Sequence, residues 1–483
     1  MVTWIANQLA SLSGNDAVEK FDISRLSYPP QYILETSKHD IINVKPFTSK
    51  EVLKILEYCL DNKIPVTPIG NLTSMRGQAI PVEGGITLDT SNLSGVKEID
   101  HDNLTVSVLP GTTYAELTRV LTEEGYKVRI LPLKGINATI GGFVAEGGLG
   151  IGTLKHGSVA SEILHMNFVC PYIDINRIYN YLFVHPKVSY YYQTEKDPII
   201  STGGGKVSTY GSGYNLKELL LGSEGTLGVI TQITLAIKLI HASPTYVLYR
   251  YQSELDASEA YTEVMSSRRL PYFVSIFDDA YLKQLQAAEL FSAQSYYLLV
   301  VIDEDDSELN KNRAEFYDSM LTKKGEKLEP HLAEVAWKIL SVGSNFTQQE
   351  SNHSIVEEIK TPNNKISEAI AIKANICKDT SLNIASMVCS ISNAENLFCF
   401  STKVNRSDEV SMKAFNGLSS RLRIELSGLG AFPYGIGLVN IGLLEQVFPS
   451  QTRIMRSIKE RVDPHGILNP RKLFSQERLR MGI

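Results

Sequence analysis

Cysteine is scarce, with five in 483 residues: Cys59, Cys170, Cys377, Cys389 and Cys399. No two form a C-x-x-C pair and the number is odd, which excludes a disulfide framework and a self-contained iron–sulfur cluster of ordinary spacing. Each reads as a small buried hydrophobe. Long apolar runs are missing too. None approaches the roughly eighteen residues that a membrane-crossing helix needs, so no transmembrane segment is expected. The opening MVTWIANQLASLSGNDAVEKF has no basic region ahead of a long apolar one and does not read as a signal peptide. The expectation is a cytoplasmic protein, peripheral to a membrane only through a partner. Basic charge is not in excess either. A net charge of −6 argues against general nucleic-acid binding, because neutralising phosphates takes clustered Lys and Arg. Histidine is absent throughout the stretch between His353 and His465.

Glycine, by contrast, is concentrated. TIGGFVAEGGLGIG (139–152) has six glycines in fourteen residues, and PIGNLTSMRGQAIP (68–81) and LLLGSEGTLGVIT (219–231) are further glycine-bearing turns. Tight, partly left-handed turns aim backbone N–H groups into a concavity that binds phosphate oxygens, and glycine lets a flat ring approach the chain. Separated stretches of this kind suit a long ligand with a pyrophosphate at one point and a ring system at another. A dinucleotide fits. GGLGIG (147–152) loosely matches the nicotinamide-type fingerprint, but TLKHGSVASEIL after it contains Gly157 and no clean amphipathic helix. The other reading, simple turns in a β-rich domain, sits poorly with several glycine clusters over so long a span.

The spacing predicts strand–helix–strand over 40–66, with Thr48 or Ser49 as the helix cap, and a helix from about Thr113 to Glu124. After residue 242 glycine becomes sparse and strand and helix patterns alternate, which predicts an α+β domain with an antiparallel sheet. Glycine returns at GLGAFPYGIG (428–437), and the chain closes with a helix and the turn DPHGILNP. Residues 172–199 carry Tyr172, Tyr179, Tyr181, Tyr190, Tyr191 and Tyr192, with Phe183. Such an aromatic segment reads as an interface for a partner or a second copy, or as a hairpin folded onto its own domain.

In combination, IPVTPIGNLTSMRGQ, the LPG–TIGG–GxGxxxxxHG series, LLLGSEGTLGVIT and DPHGILNP resemble the FAD-linked oxidases of the vanillyl-alcohol-oxidase (PCMH-type) fold, in the D-lactate dehydrogenase/glycolate oxidase branch. The resemblance runs from about residue 20 to 474. It implies an α+β protein: a PCMH-type FAD-binding domain of two α/β subdomains over 1–242 (with 172–199 as an insertion), an α+β cap with an antiparallel sheet over 243–427, and a segment 428–483 returning to the FAD domain. It implies that Gly70, Asn71, Leu72, Thr73, Ser74, Gly77 and Gln78 wrap the pyrophosphate. Pro132, Gly135, Thr139, Gly141, Gly142, Ala145 and Gly150 would line the flavin and ribityl chain, with Gly157 closing that path. Glu224, Gly225, Val229 and Ile230 would fall at the adenine end, and Asn469 would reach the flavin side from the tail. Asn71 and Leu72 stand where the family has more glycine. Thr73 and Asn137 stand where some members carry a histidine or cysteine bonded to the flavin, so the FAD is expected to be non-covalent.

Relatives that oxidise 2-hydroxy acids hold a metal with histidines and a carboxylate. At the matching positions this chain has Ile391, Phe398, Pro433 and Tyr434, so no metal site of the usual kind is expected. The family arginine that grips a substrate carboxylate has no counterpart in AEVAWKILSVGSNF (333–346), although Lys338 is nearby, and SIVEEIKTP (354–362) lacks the usual lysine. The resemblance therefore implies an FAD-dependent dehydrogenase or oxidase acting on a CH–OH group of a small hydroxylated substrate. Tyr434 would serve as base or hydrogen-bond donor, Lys338, Lys403 or Arg406 would hold an anionic group, and His156 would lie beside the flavin. Two other readings stay open: a flavin-carrying subunit that passes electrons to an iron–sulfur partner, and a non-catalytic FAD-binding paralogue.

Overall fold

The computed structural model describes residues 2–26, 30–133, 135–170, 199–201, 214–285, 291–292, 294–342, 353–404 and 408–474. The tyrosine-rich residues 172–198 and Arg406 lie outside these. Near the start, strands Ile41–Val44, Gly85–Asp89 and Val66–Ile69 pair in parallel, with Val18–Lys20 antiparallel at the edge. Parallel neighbours need a crossover, and the helix Ser49–Asp61 supplies it. Thr48 caps that helix, its side chain accepting from Glu51 N–H at 3.2 Å. Val52, Ile55, Leu56 and Cys59 recur at helical spacing and are its buried face.

A second sheet of five antiparallel strands follows, in the order Ile199–Ser201, Ile163–Val169, Val229–Ala236, Thr105–Val108 and Val96–Asp100. The helix Tyr114–Glu123, capped by Thr113, packs Leu117 and Leu121 into the core beside Ile233 and Leu235. After GGLGIG comes only the four-residue helix Thr153–His156, too short to be the long helix that opens a nicotinamide-type fold.

From residue 245 onwards one antiparallel sheet of eight strands dominates. Its order is Glu326–Lys327, Thr245–Tyr251, Tyr296–Ile302, Phe273–Asp278, Ala385–Ser390, Glu395–Val404, His353–Pro362 and Phe432–Pro433. Phe273–Asp278 and Ala385–Ser390 are buried on both faces, which explains their continuous apolar runs. Alternation sorts the side chains. Val274 and Ile276 join the core under the helices Glu254–Ser266, Ser307–Leu321, Ile366–Cys377 and Glu409–Ser427. Phe273 and Phe277 face the other way, into a core shared with Ile151, Leu131, Leu133, Leu149 and Tyr434. The cap sheet is therefore laid directly on the central glycine-rich stretch. No helix among the described residues is long and apolar enough to cross a membrane.

Candidate FAD and substrate cleft

Strand Val66–Ile69 ends at Gly70, and the chain then loops through Ser74. Among the described residues the N–H groups of Asn71, Leu72, Thr73 and Ser74 donate to no protein acceptor. Leu72 adopts the left-handed conformation, φ 55°, which helps aim these amides together. Asn71 Nδ2 ties the loop to the second glycine stretch by donating to Asn137 O at 2.9 Å. There Thr139 caps the short helix Ile140–Ala145, its Oγ1 accepting from Gly142 N–H at 3.3 Å. A Cβ at Gly70 would overlap that same Oγ1, and one at Gly141 would lie 2.6 Å from Pro110 Cβ. The two loops approach so closely that side chains are excluded between them.

They border a cleft of about 1130 Å³ including its open mouth. Gly70, Asn71, Leu72, Thr73, Ser74 and Gln78 line it from the first loop. Pro132, Thr139, Gly141, Gly142 and Ala145 line it from the second, and Glu224, Gly225, Val229 and Ile230 from the third. Amides without partners, lips with no room for a Cβ, and apolar walls from Pro68, Ile69, Pro110 and Val229 fit an extended ligand with a phosphate run and a flat ring.

The remaining expected residues lie off the lining. Gly77, Gly135 and Gly157 make left-handed turns, with φ of 81°, 100° and 81°. Gly150 pairs with Pro132, and a Cβ there would overlap Leu131 O. Asn469 is buried behind the cleft, its Nδ2 donating to Gln78 O at 3.0 Å and Glu224 O at 2.6 Å. His156 meets Tyr272 edge-on at 6.0 Å, and burial, then Lys238 and Lys155, push its imidazole down to about 4. Lys338 is exposed on the helix Pro330–Val342. Ile391 and Phe398 are buried in the cap, the latter against Phe400 at 4.2 Å. Among the described residues no group of three or more His, Cys, Asp or Glu is placed to hold a metal ion.

At the end of the cleft nearest the cap stands a cluster that the sequence reading missed. Arg76, 4% exposed, donates to Glu146 at the end of the Ile140–Ala145 helix and to Glu358 of the cap strand His353–Pro362. Its guanidinium carbon lies 4.7 Å from the centre of the Tyr434 ring. Tyr434 N–H donates to Glu358 O at 3.0 Å, and its hydroxyl accepts from Leu149 N–H at 3.1 Å. Burial, with the Glu146 carboxylate beside it, raises the Tyr434 phenol well above its ordinary value. Strand alternation separates the adjacent acids: Glu358 lines the cleft, while Glu357 lies 4.0 Å from Arg423. Glu224 accepts from Gly437 N–H at 3.1 and 3.2 Å, and burial pushes its carboxyl up to about 7. Burial also brings Lys472, which donates to Ile80 O at 2.8 Å, down to about 7. Arg76 in SMRGQ and the Glu pair in VEEIKTP were the available signals, but nothing local in either stretch points to the other.

Residues 42–172 match the FAD binding domain, and residues 240–473 match the C-terminal domain of FAD linked oxidases. The chain belongs to the FAD-linked oxidases, and its cofactor is FAD. Among its relatives are the glycolate oxidase subunit GlcD of Bacillus subtilis, 24% identical across 98% of this chain and 97% of that one, and the D-lactate dehydrogenase of Archaeoglobus fulgidus, 26% identical across 94% and 95%. Solved structures with the same PCMH-type fold include p-cresol methylhydroxylase with substrate bound, TM-score 0.76 at 14% identity, covering 98% of this chain and 96% of that one. Another is 4-ethylphenol oxidase from Gulosibacter chungangensis, TM-score 0.77 at 13% identity, covering 99% and 98%.

Proposed function

We propose that this oxidoreductase binds FAD non-covalently along the three glycine loops and oxidises the CH–OH carbon of a small hydroxylated substrate at the Arg76–Glu146–Glu358–Tyr434 end. The observation that carries the reading is the meeting, in one cleft, of amides suited to a pyrophosphate and a carboxylate–tyrosine cluster contributed jointly by the glycine stretch, the cap and the tail. Bound FAD supplies a two-electron oxidant that takes a hydride. The chain's own residues place the alcohol and remove its proton. Tyr434, with its phenol raised, keeps its proton near neutral pH and donates to the substrate oxygen. Glu358 accepts the carbinol proton, and Arg76 holds Glu358 and Glu146 in their orientations. The apolar wall of Leu133, Leu149 and Leu397 excludes water from the reacting carbon.

Anaerobic titration of the purified yellow protein with hydroxylated compounds tests this. Bleaching of the flavin absorbance is expected. Glu358→Gln should slow it by about a hundredfold or more while retaining FAD. A flavin that dithionite reduces but no alcohol does would remove the proposal and favour the electron-transfer subunit.

A further inference from the structure

The charge of the cleft lining bears on the substrate class. Among the described residues that line it there is no Lys, Arg or His, while Glu146, Glu224 and Glu358 are all there. Glu224 is turned to Gly437 N–H. That leaves Glu146 and Glu358 at the cap end, sharing the single guanidinium of Arg76, which is packed behind them and almost fully buried. Two carboxylates against one cation leave an excess of negative charge between apolar walls, where such charge is felt most strongly. Lys338 and Lys403 are exposed and off the lining, and Lys360 is 3.9 Å from Glu395. A substrate carboxylate brought to this place would lose its hydration and meet like charge.

Resting on the oxidation proposed above, we infer that this cleft takes an alcohol whose neighbouring carbon bears a protonated amine, not a carboxylate, with Glu146 and Glu358 accepting its N–H groups. The ammonium completes the charge balance that Arg76 leaves unfinished. The oxidation is otherwise unchanged: the carbinol loses a hydride to FAD and a proton to the carboxylate pair, a C=O bond forms, and the product is an amino ketone.

Three alcohols of one carbon skeleton and one configuration test the charge alone: D-lactate, (R)-propane-1,2-diol and (R)-1-amino-2-propanol. Each is titrated anaerobically into the FAD-loaded protein near neutral pH, with calorimetry reporting binding and flavin absorbance reporting reduction. The amino alcohol is expected to bind about tenfold or more tightly than the diol, and the diol more tightly than lactate. Glu358→Gln should narrow that spread, although the wild-type ranking decides the matter without any variant. If the amino alcohol fails to bind more tightly than lactate, the inference is overturned. Binding in the expected order without bleaching would uphold the charge preference and remove the oxidation. Bleaching fastest with lactate would uphold the oxidation and remove the charge preference.

Discussion

Glu162 is a carboxyl with no role in the cleft and an unusual environment. It is 3% exposed, and its Oε1 has no hydrogen-bond partner among the described residues. Burial pushes its pKa up to about 8 from an ordinary 4.5, against the opposing pull of Arg129 and Ile130 N–H. The folded state therefore binds a proton that the unfolded state releases. The group's contribution to stability is complete below about pH 4.5 and is lost as pH rises through about 8. Glu162→Gln should leave stability nearly unchanged at about pH 5 and raise it by roughly 1–3 kcal/mol at about pH 8, read from denaturant melts. Tyr434→Phe should leave the Leu149 N–H without its acceptor, lowering stability by roughly 1–2 kcal/mol, and should slow flavin reduction about tenfold in stopped-flow traces.

Among the elements, the contact of the first two glycine loops is the tightest constraint. Gly70→Ala would drive Thr139 Oγ1 off Gly142 N–H and uncap the Ile140–Ala145 helix. The expected result is a loss of roughly 1–3 kcal/mol and a protein that purifies with less flavin, measured as the ratio of flavin to protein absorbance. Elements of this kind were legible in the sequence. Val52, Ile55, Leu56 and Cys59 announced their helix by spacing, and Thr113 its helix by capping chemistry, because both signals are local. The glycines were legible only in part. A glycine reports that something comes close without saying what. At Gly70 and Gly141 the crowding lies at the cleft, whereas at Gly150 and Gly152 it comes from backbone, Leu131 O and Arg129 O. The acid–guanidinium cluster was not legible. Arg76 meets Glu146 70 positions away and Glu358 282 positions away, and no pattern in one segment encodes a partner that distant.

At the scale of the whole molecule, an ionic seam joins the glycine-rich part to the cap. Asp303, just after the strand Tyr296–Ile302, takes Lys127 Nζ at 2.6 Å and Lys238 Nζ at 3.0 Å. Lys155 Nζ reaches Asp303 O at 2.7 Å and Glu304 at 2.8 Å, and Arg313 holds Glu304 at 3.0 Å. Burial alone would raise the Asp303 carboxyl, but Lys127 and Lys238 hold it below its ordinary range, so its contribution is lost as pH falls towards acid. Asp303→Asn should cost roughly 2–4 kcal/mol, measured by chemical denaturation, because three lysines lose their shared partner. The tail acts at the same scale. Leu438 N–H donates to Arg76 O at 2.8 Å, Asn469 N–H to Val66 O at 2.7 Å, and Asn469 Nδ2 and Lys472 fasten the backbone around Gln78 and Ile80. On a ribosome these clasps emerge last. A nascent chain complete through the cap already has all three glycine loops but nothing to hold the first of them in place. Flavin capture is then an event of chain release rather than of elongation. A message cut short before Asn469 should yield a colourless protein however much riboflavin the cell is given.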